Sequence, residues 1–351
     1  MSLKYKINDS LMAFDIVNEG IILSITDSEL ITIDENEDTI LEIVKAFLEP
    51  KSYEEAYLLA SKNMYIDTDL FEECFEFMKS NNVLKEMRNN NSILSDYQKN
   101  KYKRQISSFN SLKGIEADTS EIIQKRICQS TVCIIGIGGT GSYLSLALTM
   151  IGVEHLILID FDQVELSNTA RQILYDETDV GKYKINAAKE KLLKYNRNIK
   201  VNIHNVNIKS GDDLEFLCQY SIDLLVLCAD TPRGEIQYIT DEIAQKNKIP
   251  WFCYGPFNQS QVAIGPMIIP GKTMSYSELF PHNVSAHTNR VNEINKKFVA
   301  SVCDPYNGFA SQFAAIEAFK YLSGIKNTTI INRRYCIDTD NWTMEFEDYY
   351  E

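Results

Sequence analysis

Residues 131–172 read TVCIIGIGGTGSYLSLALTMIGVEHLILIDFDQVELSNTARQ, and the order of residue types in this stretch decides the fold. Thr131–Ile137 is a short run rich in β-branched residues, Gly136, Gly138, Gly139 and Gly141 follow as G-x-G-G-x-G, and Gly141–Ile151 reads as a helix. Strand, tight turn and helix in that order let the backbone approach a phosphate closely, beside helix N–H groups that carry partial positive charge. The next strand, His155–Asp160, ends in a carboxylate 19 residues beyond Gly141. That is the distance at which an acid reaches ribose hydroxyls. Up to Asp160 the pattern fits a simple structural turn or a dinucleotide site as well.

The residues after Asp160 separate these readings. Asp160-Phe-Asp162-x-Val-x-x-Ser-Asn168-x-x-Arg171-Gln172 continues into Asp179-Val-Gly181-Lys182-x-Lys184, which places Arg171 and Lys184 downstream of the ribose position. Hydride transfer has no need to neutralise a triphosphate. An enzyme that breaks the α–β phosphate bond must stabilise charge on departing pyrophosphate, and arginine and lysine are suited to that. Singly, each has a plainer reading: Arg171 and Lys184 as solvated surface cations, and Asp230, between the apolar strand Leu224–Leu227 and Thr231-Pro232, as a helix cap.

Together these motifs, with Cys228-Ala-Asp230, resemble the ThiF/MoeB superfamily of ubiquitin-activating-type adenylating enzymes over roughly Tyr97 to Gly324. The resemblance implies a Rossmann-like α/β fold that uses ATP and Mg²⁺. It implies that Asp160 holds the ribose, that Asn168, Arg171 and Lys184 meet the phosphates, and that Asp230 helps hold Mg²⁺. The glycine loop, Asp162 and Gln172 complete the expected nucleotide site. Lys101-Tyr-Lys-Arg104-Gln105 resembles a family segment whose arginine enters the neighbouring subunit's site, so Arg104 implies a homodimer.

Two departures matter. Many relatives bind zinc through two Cys-x-x-Cys pairs, but Pro270-Gly-Lys-Thr273 is followed here by Ser275 and Glu278, and Asp338–Glu351 lacks cysteine. No zinc site is expected, because a closed site needs four ligands. Cys303 is the cysteine best placed for a thioester, yet Asp304 beside it opposes ionisation, so a structural thiol is expected.

The first 88 residues have a different character. Apolar residues alternate across Leu11–Val17 and Ile21–Ile33, and helical spacing follows at Thr39–Leu48, Tyr53–Ser61 and Asp69–Ser80. Strands followed by three helices resemble the winged-helix-like domain that reads leader peptides by adding them to a sheet edge. An appendage that supports dimerisation is the alternative. This region holds 19 acidic against 8 basic residues, −11 of the chain's −14. That excludes nucleic acid as the expected partner and favours a basic-leaning leader. The expected domains are 1–88, a linker at 89–110 and an adenylation domain at 111–351 with a polar crossover at 272–302. The crossover carries His282 and His287, which are candidate bases but more often simply exposed.

No apolar run reaches membrane-helix length and the N-terminus lacks a signal pattern. Eight scattered cysteines read as free thiols. A cytoplasmic enzyme without a membrane partner is expected. A peptide reader joined to a core without zinc cysteines resembles the branch of the superfamily that adenylates ribosomally made precursor peptides and captures the acyl-adenylate with an amide nitrogen. Adenylation of a ubiquitin-like sulfur carrier and a non-catalytic leader-presenting subunit are the alternatives.

Overall fold

The computed structural model describes residues 3–8, 11–16, 20–26, 29–33, 38–62, 64–87, 93–110, 117–256, 260–281, 302–325 and 327–349. It forms two compact units, Met1–Lys125 and Arg126–Glu351.

The first unit contains β1 (Lys4–Ile7), β2 (Met12–Ile16), β3 (Gly20–Thr26), β4 (Glu29–Ile33), α1 (Asp38–Lys45), α2 (Tyr53–Ala60), α3 (Thr68–Ser80) and β5 (Leu84–Met87). After these come α4 (Asp96–Lys101), α5 (Lys103–Asn110) and the start of α6 (Ala117–Gln129). The alternation at residues 11–33 becomes an antiparallel β2-β3-β4 sheet. Its Leu23 and Ile33 are buried in one core with Ile43, Phe47, Ala56, Phe71 and Phe75 of the helical segments. Burying each of these side chains other than Ala56 contributes about 1.5–3 kcal/mol. A capping box starts α2: Glu55 N donates to Ser52 Oγ and Ser52 N donates to Glu55 Oε2.

Two features of this unit lie outside the sequence expectation. β1 and β5 pair antiparallel, with Lys6 opposite Lys85; four-residue strands rich in lysine leave no readable alternation. The segment expected as a linker carries α4 and α5, and α4 opens on a capping box from Ser95 and Gln98. The unit boundary falls inside α6.

The second unit contains β6 (Thr131–Ile135), α7 (Gly139–Ile151), β7 (His155–Ile159), α8 (Lys184–Tyr195), β8 (Lys200–His204), β9 (Leu224–Leu227), α9 (Ile236–Asn247) and β10 (Trp251–Pro256). These are followed by β11 (Gln261–Ile264), α10 (Tyr276–Leu279), α11 (Asp304–Ser323), β12 (Arg333–Asp338) and β13 (Thr343–Asp348). Among the described residues they build one eight-stranded sheet, ordered β13-β12-β11-β10-β9-β6-β7-β8. β10, β9, β6, β7 and β8 are parallel, and β11, β12 and β13 continue antiparallel. The runs Val132–Ile135 and Leu224–Leu227 are buried, as central parallel strands covered on both faces must be. Chain order reverses between β6 and β9, which opens a crevice at the carboxyl ends of the strands.

α11 begins at Asp304, directly after Cys303. Pro305 sits in its first turn, where a missing N–H costs nothing.

Candidate active site

The crevice is a cavity of about 760 Å³ whose inner wall is the loop after β6, a volume in the range of small-molecule sites. Gly136 has φ +88°, and a Cβ there would lie 2.8 Å from Ala229 Cα, on the loop after β9. A Cβ on Gly141 would lie 1.9 Å from Gly136 O, and one on Gly139 would lie 2.7 Å from Asn307 Nδ2. These three glycines close the turn against its neighbours. Gly138 is the open one, with only Gln172 Nε2 at 4.0 Å. It begins α7 without a side-chain cap, so the helix presents N–H groups suited to an anion.

Hydrogen bonds from several elements fix this loop. Tyr175 Oη donates to Ile137 O at 2.7 Å. Tyr254 Oη and Ser311 Oγ each donate to Thr140 O at 3.0 Å. Asp160 accepts from Ile137 N at 2.7 Å and from Asp162 N at 2.8 Å, so it ties the β7 end to the glycine turn. Burial pushes its carboxyl above the usual range, while Lys184 and the two backbone donors oppose that push. Each oxygen keeps a lone pair for a further donor such as a ribose hydroxyl.

Beside it, Lys184 is buried, its side chain 8% exposed, and its Nζ lies 2.8 Å from Asp162 Oδ2. It is therefore not a solvated surface cation. Arg171 is half-buried in the cavity wall, and its carbonyl accepts from Asn307 Nδ2 at 3.3 Å. Gln172 is 3% exposed, lines the cavity, and its Oε1 is buried without a hydrogen-bond partner among the described residues. Such an atom costs about 1–3 kcal/mol unless something donates to it. It is a built-in request for a ligand. Asp230 is exposed at the opposite rim and pairs with Arg233 at 3.1 Å; α9 starts after Glu235, so Asp230 does not cap it.

The cavity thus gathers Gly136, Gly138, Gly139, Asp160, Asp162, Arg171, Gln172, Lys184 and Asp230. Gly141 lies beneath the loop, buried in α7. Asn168 is buried and closes its own 3₁₀ turn, its Oδ1 accepting from Glu165 N at 3.0 Å; it is not among the lining residues. Arg104 is an exposed residue of α5 in the other unit. Cys303 is exposed at the start of α11. Ser275 and Glu278, which replace the zinc cysteines, form a capping box for α10. His282 and His287 lie outside the described residues, as does 282–301 of the crossover.

Some lining residues escaped the sequence reading. Arg233 and Gln237 lie close enough to Asp230 in sequence to be suspected. Asn307, Tyr276, Phe280 and Arg334 come from distant elements with no local signal. Two thiols also line the cavity. Burial pushes Cys228 up to about 12 and Cys253 up to about 11, so neither supplies a thiolate nucleophile near neutral pH.

The arrangement can hold a polyphosphate between a helix start and two cations, with a carboxylate at the ribose side and another facing a metal position. Comparison with known proteins agrees. The ThiF family model matches residues 102–349. The crystal structure of E. coli MccB with ATP superposes with a TM-score of 0.78 at 25% identity, covering 99% of this chain and 97% of that one. MccB with AMPCPP and MccA gives a TM-score of 0.78 at 26% identity over the same shares. The molybdopterin-synthase adenylyltransferase of Escherichia coli (strain K12) is 31% identical over 161 residues, 46% of this chain and 56% of that enzyme. The chain spans about half the length of the curated relatives it matches.

Proposed function

The chain belongs to the ThiF family, and from that premise we propose that it is an ATP-dependent adenylyltransferase acting on a carboxylate of a ribosomally made precursor peptide. The observation that carries this reading is a glycine-lined cavity that gathers Arg171, Lys184, Asp230 and Gln172, whose buried Oε1 has no partner among the described residues. The likeness to MccB with ATP and with MccA, over nearly the whole of both chains, supports it.

The peptide carboxylate oxygen attacks the α-phosphorus, a new C–O–P linkage forms, and the bond to the β-phosphate breaks to release pyrophosphate. Asp160 orients the ribose. The N–H groups at the start of α7 hold the phosphates in line, and Gln172 Oε1 accepts from a hydroxyl or amine of the nucleotide. Arg171 and Lys184 stabilise charge as it gathers on the leaving pyrophosphate, so they act more on the transition state than on bound ATP. Asp230, a carboxylate at the rim, would hold Mg²⁺, which would supply charge neutralisation on the phosphates. An amide nitrogen of the peptide then attacks the acyl carbon, loses its proton, and displaces AMP as the acyl–oxygen bond breaks, closing an imide.

In this reading residues 1–88 are a winged-helix-like leader reader. β2 lies at an edge of its sheet with Met12 and Phe14 exposed, which suits strand addition. Arg104 serves the site of a second copy. A homodimer is supported by the apolar face of β13 and α11, where Trp342, Met344, Phe346 and Ile316 are each at least half exposed. The proposed setting is the cytoplasm; no described helix is long and apolar enough to cross a membrane.

A mixture of Arg104→Ala and Asp230→Ala proteins tests the shared site. After subunit exchange one site of each mixed dimer has both groups, so pyrophosphate release recovers toward about a quarter of wild type. No recovery with exchange demonstrated contradicts it. A second reading, adenylation of a ubiquitin-like sulfur carrier, is favoured by the likeness to the molybdopterin-synthase adenylyltransferase. Pyrophosphate release driven by a small protein ending in Gly-Gly, and not by a short peptide, would establish it.

A further inference from the structure

Arg171 and Lys184 stand on different supports. Lys184 opens α8 and is buried, so helix backbone and packing hold it in place. Arg171 is half-buried and follows the 3₁₀ turn Leu166–Asn168 on backbone that belongs to no helix or strand. A cation that meets charge on a leaving group has to be placed to a fraction of an ångström, and irregular backbone needs an outside brace for that.

The brace comes from α11. Asp304, Asn307 and Ser311 follow one another at spacings of three and four residues, so they share one face of that helix. All three reach toward the glycine loop and its surroundings. Asp304 accepts from Tyr143 Oη of α7, Ser311 Oγ donates to Thr140 O at 3.0 Å, and Asn307 Nδ2 donates to Arg171 O at 3.3 Å. The same amide lies so close to Gly139 that a Cβ there would be 2.7 Å from Nδ2 and 3.0 Å from Oδ1. Asn307 is 3% exposed and lines the cavity. One buried amide thus joins the backbone of the cation to the phosphate loop. On its other side Arg171 N donates to Asn168 O at 3.0 Å. Among the described residues the hydrogen bonds of Arg171 are made by its backbone and none by its guanidinium, so the backbone sets where the guanidinium points.

We propose that Asn307 is a positioning residue for adenylation: it acts through Arg171, whose carbonyl it holds beside the glycine loop so that the guanidinium meets the leaving pyrophosphate. The inference rests on the adenylation reading. Loss of the amide leaves the segment tied through Tyr175 Oη to Ile137 O, so the guanidinium spreads over more positions while the loop keeps its fold. The cost falls on the transition state, where the charge on pyrophosphate is greatest.

A double-mutant cycle tests this, with pyrophosphate release from MgATP and a short peptide bearing a free carboxylate as the rate and calorimetric ATP affinity beside it. Asn307→Ala is expected to lower kcat about 10- to 100-fold, the scale of a misplacement near 1 Å, with ATP affinity changed less than about 3-fold. Asn307→Leu keeps the shape of the side chain without its donor and should do the same. In an Arg171→Ala background either substitution should cost less than about 2-fold more, because nothing is left to position. The full separate loss on top of Arg171→Ala, a fall in ATP affinity as large as the fall in kcat, or near wild-type kcat in both single variants would overturn the proposal while adenylation stands. Absence of peptide-dependent pyrophosphate from the wild-type protein, or near wild-type turnover in Arg171→Ala, would instead sink the adenylation reading and take the proposal with it.

Discussion

Three glycines of the turn behind the cavity and six aromatic rings in the N-terminal core do opposite kinds of work. At Gly136, Gly139 and Gly141 there is no room for one more carbon atom. In the unit Met1–Lys125, Phe71 stacks near Phe47 and meets Tyr53 and Tyr57 edge-on, while Phe75 meets Tyr5. That core needs apolar volume of roughly the right shape and accepts many sequences. A turn with no spare space dictates residue types one by one. The contrast explains why one unit announces its chemistry and the other only its architecture.

That contrast breaks if the two units do not behave as separate cores. Phe71 is fully buried, and Phe71→Ala should cost the first unit about 3–5 kcal/mol. Both tryptophans, Trp251 and Trp342, belong to the second unit. Circular dichroism in denaturant should therefore show an early transition that tryptophan fluorescence does not follow. A single transition shared by both probes would mean one cooperative body.

Legibility followed the same division. The parallel sheet and the cavity residues Gly136, Gly138, Gly139, Asp160, Asp162 and Asp230 could be read because each lies within a few residues of a strand end, where backbone geometry and ligand chemistry both constrain the sequence, and Arg171, Gln172 and Lys184 because they belong to the motifs that follow Asp160. β2, β3, β4 and the first three helices were readable from periodicity. β1 and β5 were not, because four residues interrupted by lysine carry too little pattern. Arg334 was invisible for a different reason: only the strand order brings residue 334 to a cavity whose other wall is near residue 136.

Buried charge sharpens the contrast through pH. Burial lowers Lys85, in the first unit, to about 8. Its unfolded form binds a proton more readily, so that unit should gain stability as pH rises from about 8 toward 10.5, by no more than about 3 kcal/mol. Lys85→Met should flatten the rise, read from the early transition. In the second unit burial alone would raise Glu317, but hydrogen bonds from Lys320, Thr328 and Thr329 outweigh it and hold it below its ordinary value. The stability it confers is complete above about pH 4.5 and is lost as pH falls through the lowered value. Tryptophan-detected melting of Glu317→Gln should show a weaker acid loss, the smaller of the two effects. An alkaline gain in the second unit and none in the first would reverse the assignment.

The most direct test of adenylation is stoichiometric. The wild-type protein is given MgATP and short peptides with free carboxylates, and pyrophosphate, ADP and AMP-bearing peptide are measured together. Adenylation predicts peptide-dependent pyrophosphate matched by adenylated peptide or its captured product. Arg171→Ala and Lys184→Ala should each slow turnover by about 100- to 1,000-fold while weakening ATP binding less than about 10-fold. ADP and phosphate as the products, or near wild-type pyrophosphate release from both variants, would contradict it.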